Sequence, residues 1–90
     1  MKKAVITVTG KDSVGIIAEV ATVCAEYNAN ILDVTQSLLQ EYFAMIMLAD
    51  IEKLSVPFSD FSDVLHALGE KKSLEIHSMH EDIFNTMHHI

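Results

Sequence analysis

Arginine is missing from this 90-residue sequence, and its six basic residues, all lysines, face thirteen acids for a formal net charge of −7. The guanidinium fork that suits phosphate and guanine is therefore absent. So acidic a chain is also poorly suited to a nucleic-acid backbone or to an anionic membrane, which wants a polybasic face. Nucleic acid and membrane are accordingly not expected as partners. Long apolar runs are lacking too: the longest, Phe43 to Ala49, falls far short of the roughly 20 residues that span a bilayer. A single cysteine, Cys24, excludes an internal disulfide and suits a reducing cytoplasm, the expected location. Met1-Lys2-Lys3 has the charge of a signal-peptide start, but Thr7, Thr9, Gly10, Lys11 and Asp12 break the apolar run that follows. With one proline and three glycines there is no low-complexity tract, so neither a linker nor a disordered tail dominates.

What is present is apolar material, 50% of residues, enough for one core in a chain of this size but not for a separate catalytic lobe. Ala4 to Thr9 is β-branched and partly alternating, which predicts a strand ended by Gly10. Asp12 or Ser13 offers a cap for a helix whose apolar residues Val14, Ile17, Ala18, Ala21 and Ala25 recur on one face, with Glu19, Thr22 and Glu26 on the wet side. Asn28-Ala29-Asn30 supplies the left-handed stop that asparagine tolerates. Asn30 to Leu39 and Tyr42 to Ile51 then read as an antiparallel hairpin turning at Gln40-Glu41. After Pro57, Phe58, Phe61, Val64, Leu65 and Leu68 mark a second helical face, and Leu74 to His80 alternates as a last strand.

The order is βαββαβ, the ferredoxin-like α+β arrangement, with right-handed crossovers placing both helices on one face of a four-stranded antiparallel sheet. Residues 1–80 form this domain, and 81–90 a tail with Ile83, Phe84 and Met87 at helical spacing. The strand from Tyr42 is apolar on both faces. One row, Phe43, Met45 and Met47, is expected to lie uncovered and to serve as a self-association surface, giving a homodimer. The alternative is that the tail folds back over it.

Catalytic machinery is not visible. Cys24 lies away from the helix N-terminus, with nothing to lower its thiol pKa, and reads as a small core hydrophobe. His77, His80, His88 and His89 crowd the last fourteen residues, but His77 and His80 point to opposite faces of a strand, and His88 and His89 fall in the tail. His66 is expected to face solvent. Neither a metal nor a cofactor is expected, and the chain is not read as an enzyme.

The strand, turn and helix from Val5 put unpaired N–H groups and the positive end of a helix dipole beside a strand end, a seat for a small anionic group. Gly10-Lys11-Asp12-Ser13-Val14-Gly15-Ile16-Ile17-Ala18 followed by Asn28-Ala29-Asn30-Ile31, within a βαββαβ chain, resembles an ACT domain. The chain is similar to stand-alone ACT proteins, including those related to the glycine-cleavage repressor. The resemblance implies a regulatory module that binds an amino acid or related metabolite, commonly between two such domains, and signals to a metabolic enzyme or regulator. Carried over, it implies that Gly10, Lys11, Asp12, Ser13, Val14, Gly15 and Ile16 hold the ligand backbone. Asn30 and Ile31 would close the site from the side or from a partner. Val14 stands where many members have proline, so the loop gains a donor and loses a rigid residue. The alternative is a protein-interaction module with no small ligand.

Overall fold

Alternating β-branched residues make Lys3–Gly10 the first strand, β1, and the same logic sets the others in the computed structural model, which describes residues 1–11 and 14–87. The order continues through α1 (Ile16–Glu26), β2 (Asn30–Leu39), β3 (Tyr42–Asp50), α2 (Phe58–Lys72), β4 (Glu75–His80) and α3 (Glu81–Met87). The expected βαββαβ succession is present, and the start of the tail is the short helix α3. The strands lie in the order β2-β3-β1-β4 and every pairing is antiparallel, so β2 and β4 are the edges. The hairpin turns at Gln40-Glu41 as expected, with Gln40 at φ 56°.

Alternation decides which side chains enter the core. Ile6 and Val8 of β1 pair with Met47 and Met45 of β3, and all four are buried beneath Ile16, Val20 and Cys24 of α1 and Phe61 and Leu65 of α2. Phe43, Met45 and Met47 are therefore core residues, at most 4% exposed, which corrects the expectation that this row forms a self-association surface. The helices cover the larger row. The row on the helix-free face is Tyr42, Ala44, Ile46 and Leu48, with Tyr42 and Ile46 about half exposed. That face is partly screened at one end: α3 lies against β1 and β4, and Val5 is buried there outside the main core cluster.

A second correction concerns α1. Ile16, Val20 and Cys24 are buried, Val23 and Tyr27 pack partly against the core, and the expected stripe faces outward, with Val14 84% and Ile17 39% exposed. Both stripes obey the helical period because the helix is apolar nearly all round. The choice falls to the phase at which the chain enters the helix.

Both long helices end alike. Ala29 N–H bonds Cys24 C=O at 2.8 Å and Asn28 N–H bonds Ala25 C=O at 3.3 Å, with Asn28 left-handed at φ 62°. Leu74 N–H bonds Gly69 C=O at 2.8 Å around the left-handed Ser73 in the same pattern. The asparagine stop is thus seen. Gly69, by contrast, lies inside α2 and lets the helix approach β4: a Cβ there would stand 2.8 Å from the Leu74 carbonyl oxygen.

Candidate functional site

The β1–α1 connection begins at Gly10, whose missing side chain leaves room for Leu74; a Cβ would collide with the Leu74 Cδ2. It ends at Gly15, which occupies the N-cap of α1 in the left-handed region at φ 75° and makes no side-chain cap bond. The cap is thus Gly15 rather than Asp12 or Ser13, both of which lie outside the described residues. With no hydroxyl or carboxylate of the cap residue reaching back, the first N–H groups of α1, those of Ile16, Ile17 and Ala18, lack an intrahelical acceptor as at any helix start. They share the dipole's positive end. Ile16 is itself buried and anchors the turn to the core, while Val14 is exposed. The Lys11 ammonium lies 5.5 Å from the Tyr42 ring centroid, which places Lys11 beside the β2–β3 turn.

Asn30 and Ile31 stand elsewhere. Asn30 opens β2 opposite Asp50, whereas Gly10 lies opposite Phe43 at the other end of β3. From Phe43 to Asp50 the strand extends about 23 Å at 3.3 Å per residue. The two parts of the site implied by the sequence are therefore not brought together within one chain, and closure from the side by the same protomer's Asn30 is ruled out by distance.

The structure places other groups beside Asn30. Ala25, Asn28, Ala29, Asn30, Asp50 and Lys53 line an open cleft of about 470 Å³ at the C-terminal end of α1. Asn28 reaches it because the helix stop puts it in the left-handed conformation. Asp50 ends β3, and its Oδ1 accepts the Glu52 N–H at 2.9 Å, so the turn that carries Lys53 is fixed by the same carboxylate. Sequence reasoning missed Asp50 and Lys53, since an acid and a lysine three residues apart after a strand form no recognisable motif. A shift in the β2–β3 register between Ile31 and Asp33 bends the edge strand beside this cleft.

The remaining chemistry is sparse. Cys24 is buried, and burial pushes its thiol up from 9.0 to about 11. Its reaction with a thiol reagent at pH 8 is expected to be at least about 100-fold slower folded than in denaturant, a ratio that stopped-flow labelling reads directly. The folded state holds this proton more tightly than the unfolded chain does. The contribution to stability is therefore whole below pH 9 and is lost as pH rises through about 11. His77 Nε2 lies 3.2 Å from Glu75 Oε2, whereas His80 stacks at 4.4 Å on Phe58, on the opposite side of β4. His66 is exposed as expected, yet its ring comes within 6.4 Å of His77, a proximity that only the packing of α2 on β4 creates. Among the described residues no three metal-ligating side chains converge. His88 and His89 lie outside them. No helix among the described residues is long and apolar enough to cross a membrane.

Comparison with known proteins agrees with this fold. A UPF0237 protein of Methanococcus maripaludis is 46% identical over 90 residues, covering 100% of both chains. The solved structure of an ACT domain protein from Streptococcus pneumoniae superposes with a TM-score of 0.79 at 35% identity, covering 92% of this chain and 93% of that one. A putative glycine cleavage system transcriptional repressor superposes with a TM-score of 0.72 at 25% identity, covering 88% of this chain but 45% of that protein. The family model described as the ACT domain matches residues 2–78, which take in the loop, α1, the whole sheet up to Ser78 and the cleft, and with relatives alike from end to end the chain belongs to the ACT domain family.

Proposed function

We propose that this chain is a regulatory sensor that works as a symmetric homodimer, binding an amino acid or a related small metabolite where two copies meet and signalling to a metabolic enzyme or regulator. The observation that carries the reading is the spacing of two segments along the sheet: Asn30 opens the edge strand β2, and Gly10, where the β1–α1 loop begins, lies level with the far end of that strand, across Phe43 from Leu38. Strand β2 runs from Asn30 to Leu39, and its outer edge has no partner in the sheet. Antiparallel pairing of two β2 strands about a two-fold axis sets Asn30 of the partner subunit beside the Gly10–Gly15 loop, and does so twice. Apolar surface suited to that contact is in place: Val34 and Leu38 are exposed on the helix side of β2, at 36% and 72%, as are Ile17 on the outward stripe of α1 and Val14 just before that helix.

In this arrangement the α1 N-terminus receives the carboxylate, and Asn30 of the partner subunit contributes an amide. A ligand that touches both protomers binds the closed pair better than separate chains, so it shifts the population by that difference in affinity. The printed title of the repressor structure describes that protein, and it supports a regulatory role for a domain of this shape without naming a ligand here.

The test couples light scattering with calorimetry across the twenty amino acids. A dimer is expected, with at least one saturable binder, and Asn30→Ala is expected to weaken binding at least tenfold while leaving the dimer intact. A monomer that binds nothing refutes the reading. A second reading, docking of another protein with no small ligand, draws on the half-exposed Tyr42 and Ile46 of the helix-free face. It requires Ile46→Glu, and not Asn30→Ala, to abolish regulation.

A further inference from the structure

The cleft at the C-terminal end of α1 contains two opposite charges that the fold leaves uncommitted. Lys53 has no ion-pair partner among the described residues, although Lys72 in the same acidic chain pairs with Glu19 at 3.2 Å. Asp50 accepts one backbone N–H through Oδ1, but its charge likewise has no cationic partner among the described residues. Both side chains line one cleft of about 470 Å³, a volume within the range of small-molecule sites, yet they do not pair with each other. Two unlike charges sharing a cleft without an ion pair between them are both satisfied by a molecule that carries both signs. Asn28 and Asn30 add amides that can donate or accept, and Ala25 and Ala29 give the cleft an apolar lining.

We infer that Asp50 and Lys53 are the charge-reading residues of the ligand site, Asp50 binding the ammonium and Lys53 the acid group of a zwitterion. The inference rests on the reading under Proposed function, because the cleft opens at the Asn30 end of β2, where the loop of the partner subunit arrives. It adds to that reading two residues that lie outside the family motif, and it sets a rule of selection. A ligand must keep both a free amino group and a free acid. The α1 N-terminus of the partner subunit then shares the acid with Lys53, which concentrates positive potential at one end of the ligand and leaves Asp50 alone at the other.

The experiment uses the full 90-residue chain labelled with nitrogen-15 and titrated with each of the twenty amino acids at millimolar concentration. Amide shifts are expected at Ala29, Asn30 and Asp50 to Lys53 for at least one of them. Asp50→Asn keeps the Oδ1 acceptor that fixes the turn, and Lys53→Ala changes an exposed residue, so both variants are expected to fold. Each is expected to weaken that amino acid at least tenfold. The N-acetyl derivative of the same amino acid should bind at least tenfold more weakly than its parent and be indifferent to Asp50→Asn. Its carboxamide should be weakened likewise and be indifferent to Lys53→Ala. Binding with shifts confined to Gly15 to Ala18, and with Lys53→Ala equal to wild type, overturns this inference and leaves the proposed sensor standing. No shift with any amino acid overturns both.

Discussion

Phe61→Ala is expected to cost about 3–5 kcal/mol of folding stability, the range for emptying a buried aromatic site. Phe61 is fully buried, and its ring meets Tyr27 edge-on at a centroid distance of 6.2 Å and Phe58 at 6.3 Å. Tyr27 ends α1 and Phe58 begins α2, so one side chain joins the two helices to each other, within the same core cluster as Ile6, Val8, Met45 and Met47 of the sheet. The cavity left by truncation sits between rigid elements that can collapse only in part. Against a total stability of about 5–15 kcal/mol for a domain of this class, such a loss lowers Tm by more than about 12 °C. Denaturant unfolding read by circular dichroism, with an unchanged slope, measures it. Phe61→Leu refills much of the volume and should cost less than half as much. A drop of under about 4 °C for the alanine variant would show that the aromatic cluster does not hold the helices together.

Much of this architecture was legible in the residues themselves, and the failures share one physical cause. Strand alternation, the Gln40-Glu41 turn, the Asn28 stop and the Pro57 helix start are local signals, readable from a few neighbours, and they yield the element order and fold class. Choosing between two apolar faces is not local. In α1 the stripe of Ile16, Val20, Val23, Cys24 and Tyr27 and the stripe of Val14, Ile17, Ala18, Ala21 and Ala25 both have helical spacing. Nothing within the helix says which one meets the sheet. The deciding term is Gly15: its left-handed cap starts the helix two residues beyond Ser13 and turns Ile16 inward. The site divided in the same way. The Gly10–Gly15 loop and Asn30 carry a motif that sequence alone can display. Their separation along the sheet depends on the β1–β3 and β2–β3 registers together, and the second of these sets Asp50 opposite Asn30, twenty residues away in sequence, with Lys53 in the same cleft.

Strand β3 poses the same ambiguity in its sharpest form, and a pair of adjacent substitutions resolves it. Met45 is 1% exposed and pairs across the strands with Val8, itself buried, so Met45→Glu forces a carboxylate into the centre of the core. The desolvation of that charge amounts to several kcal/mol, comparable to the entire stability of the domain, and the variant is expected to be unfolded at neutral pH. Burial favours the protonated acid, so the glutamate's folded pKa would lie above its unfolded value near 4.3. Stability is then greatest below that value and is lost as pH rises through the higher folded pKa, so some recovery of helical signal is expected near pH 4. Ile46 is 46% exposed on the opposite face between Thr7 and Thr35, polar neighbours that accept a hydrated carboxylate. Ile46→Glu is expected to change stability by less than about 1 kcal/mol. Chemical denaturation of the two variants side by side reads the difference. Should Met45→Glu fold normally while Ile46→Glu fails, the strand is turned over relative to the helices. The inward row would then be the alanine, isoleucine and leucine one, and Val34 and Leu38, on which the proposed dimer rests, would turn to the other side of the sheet.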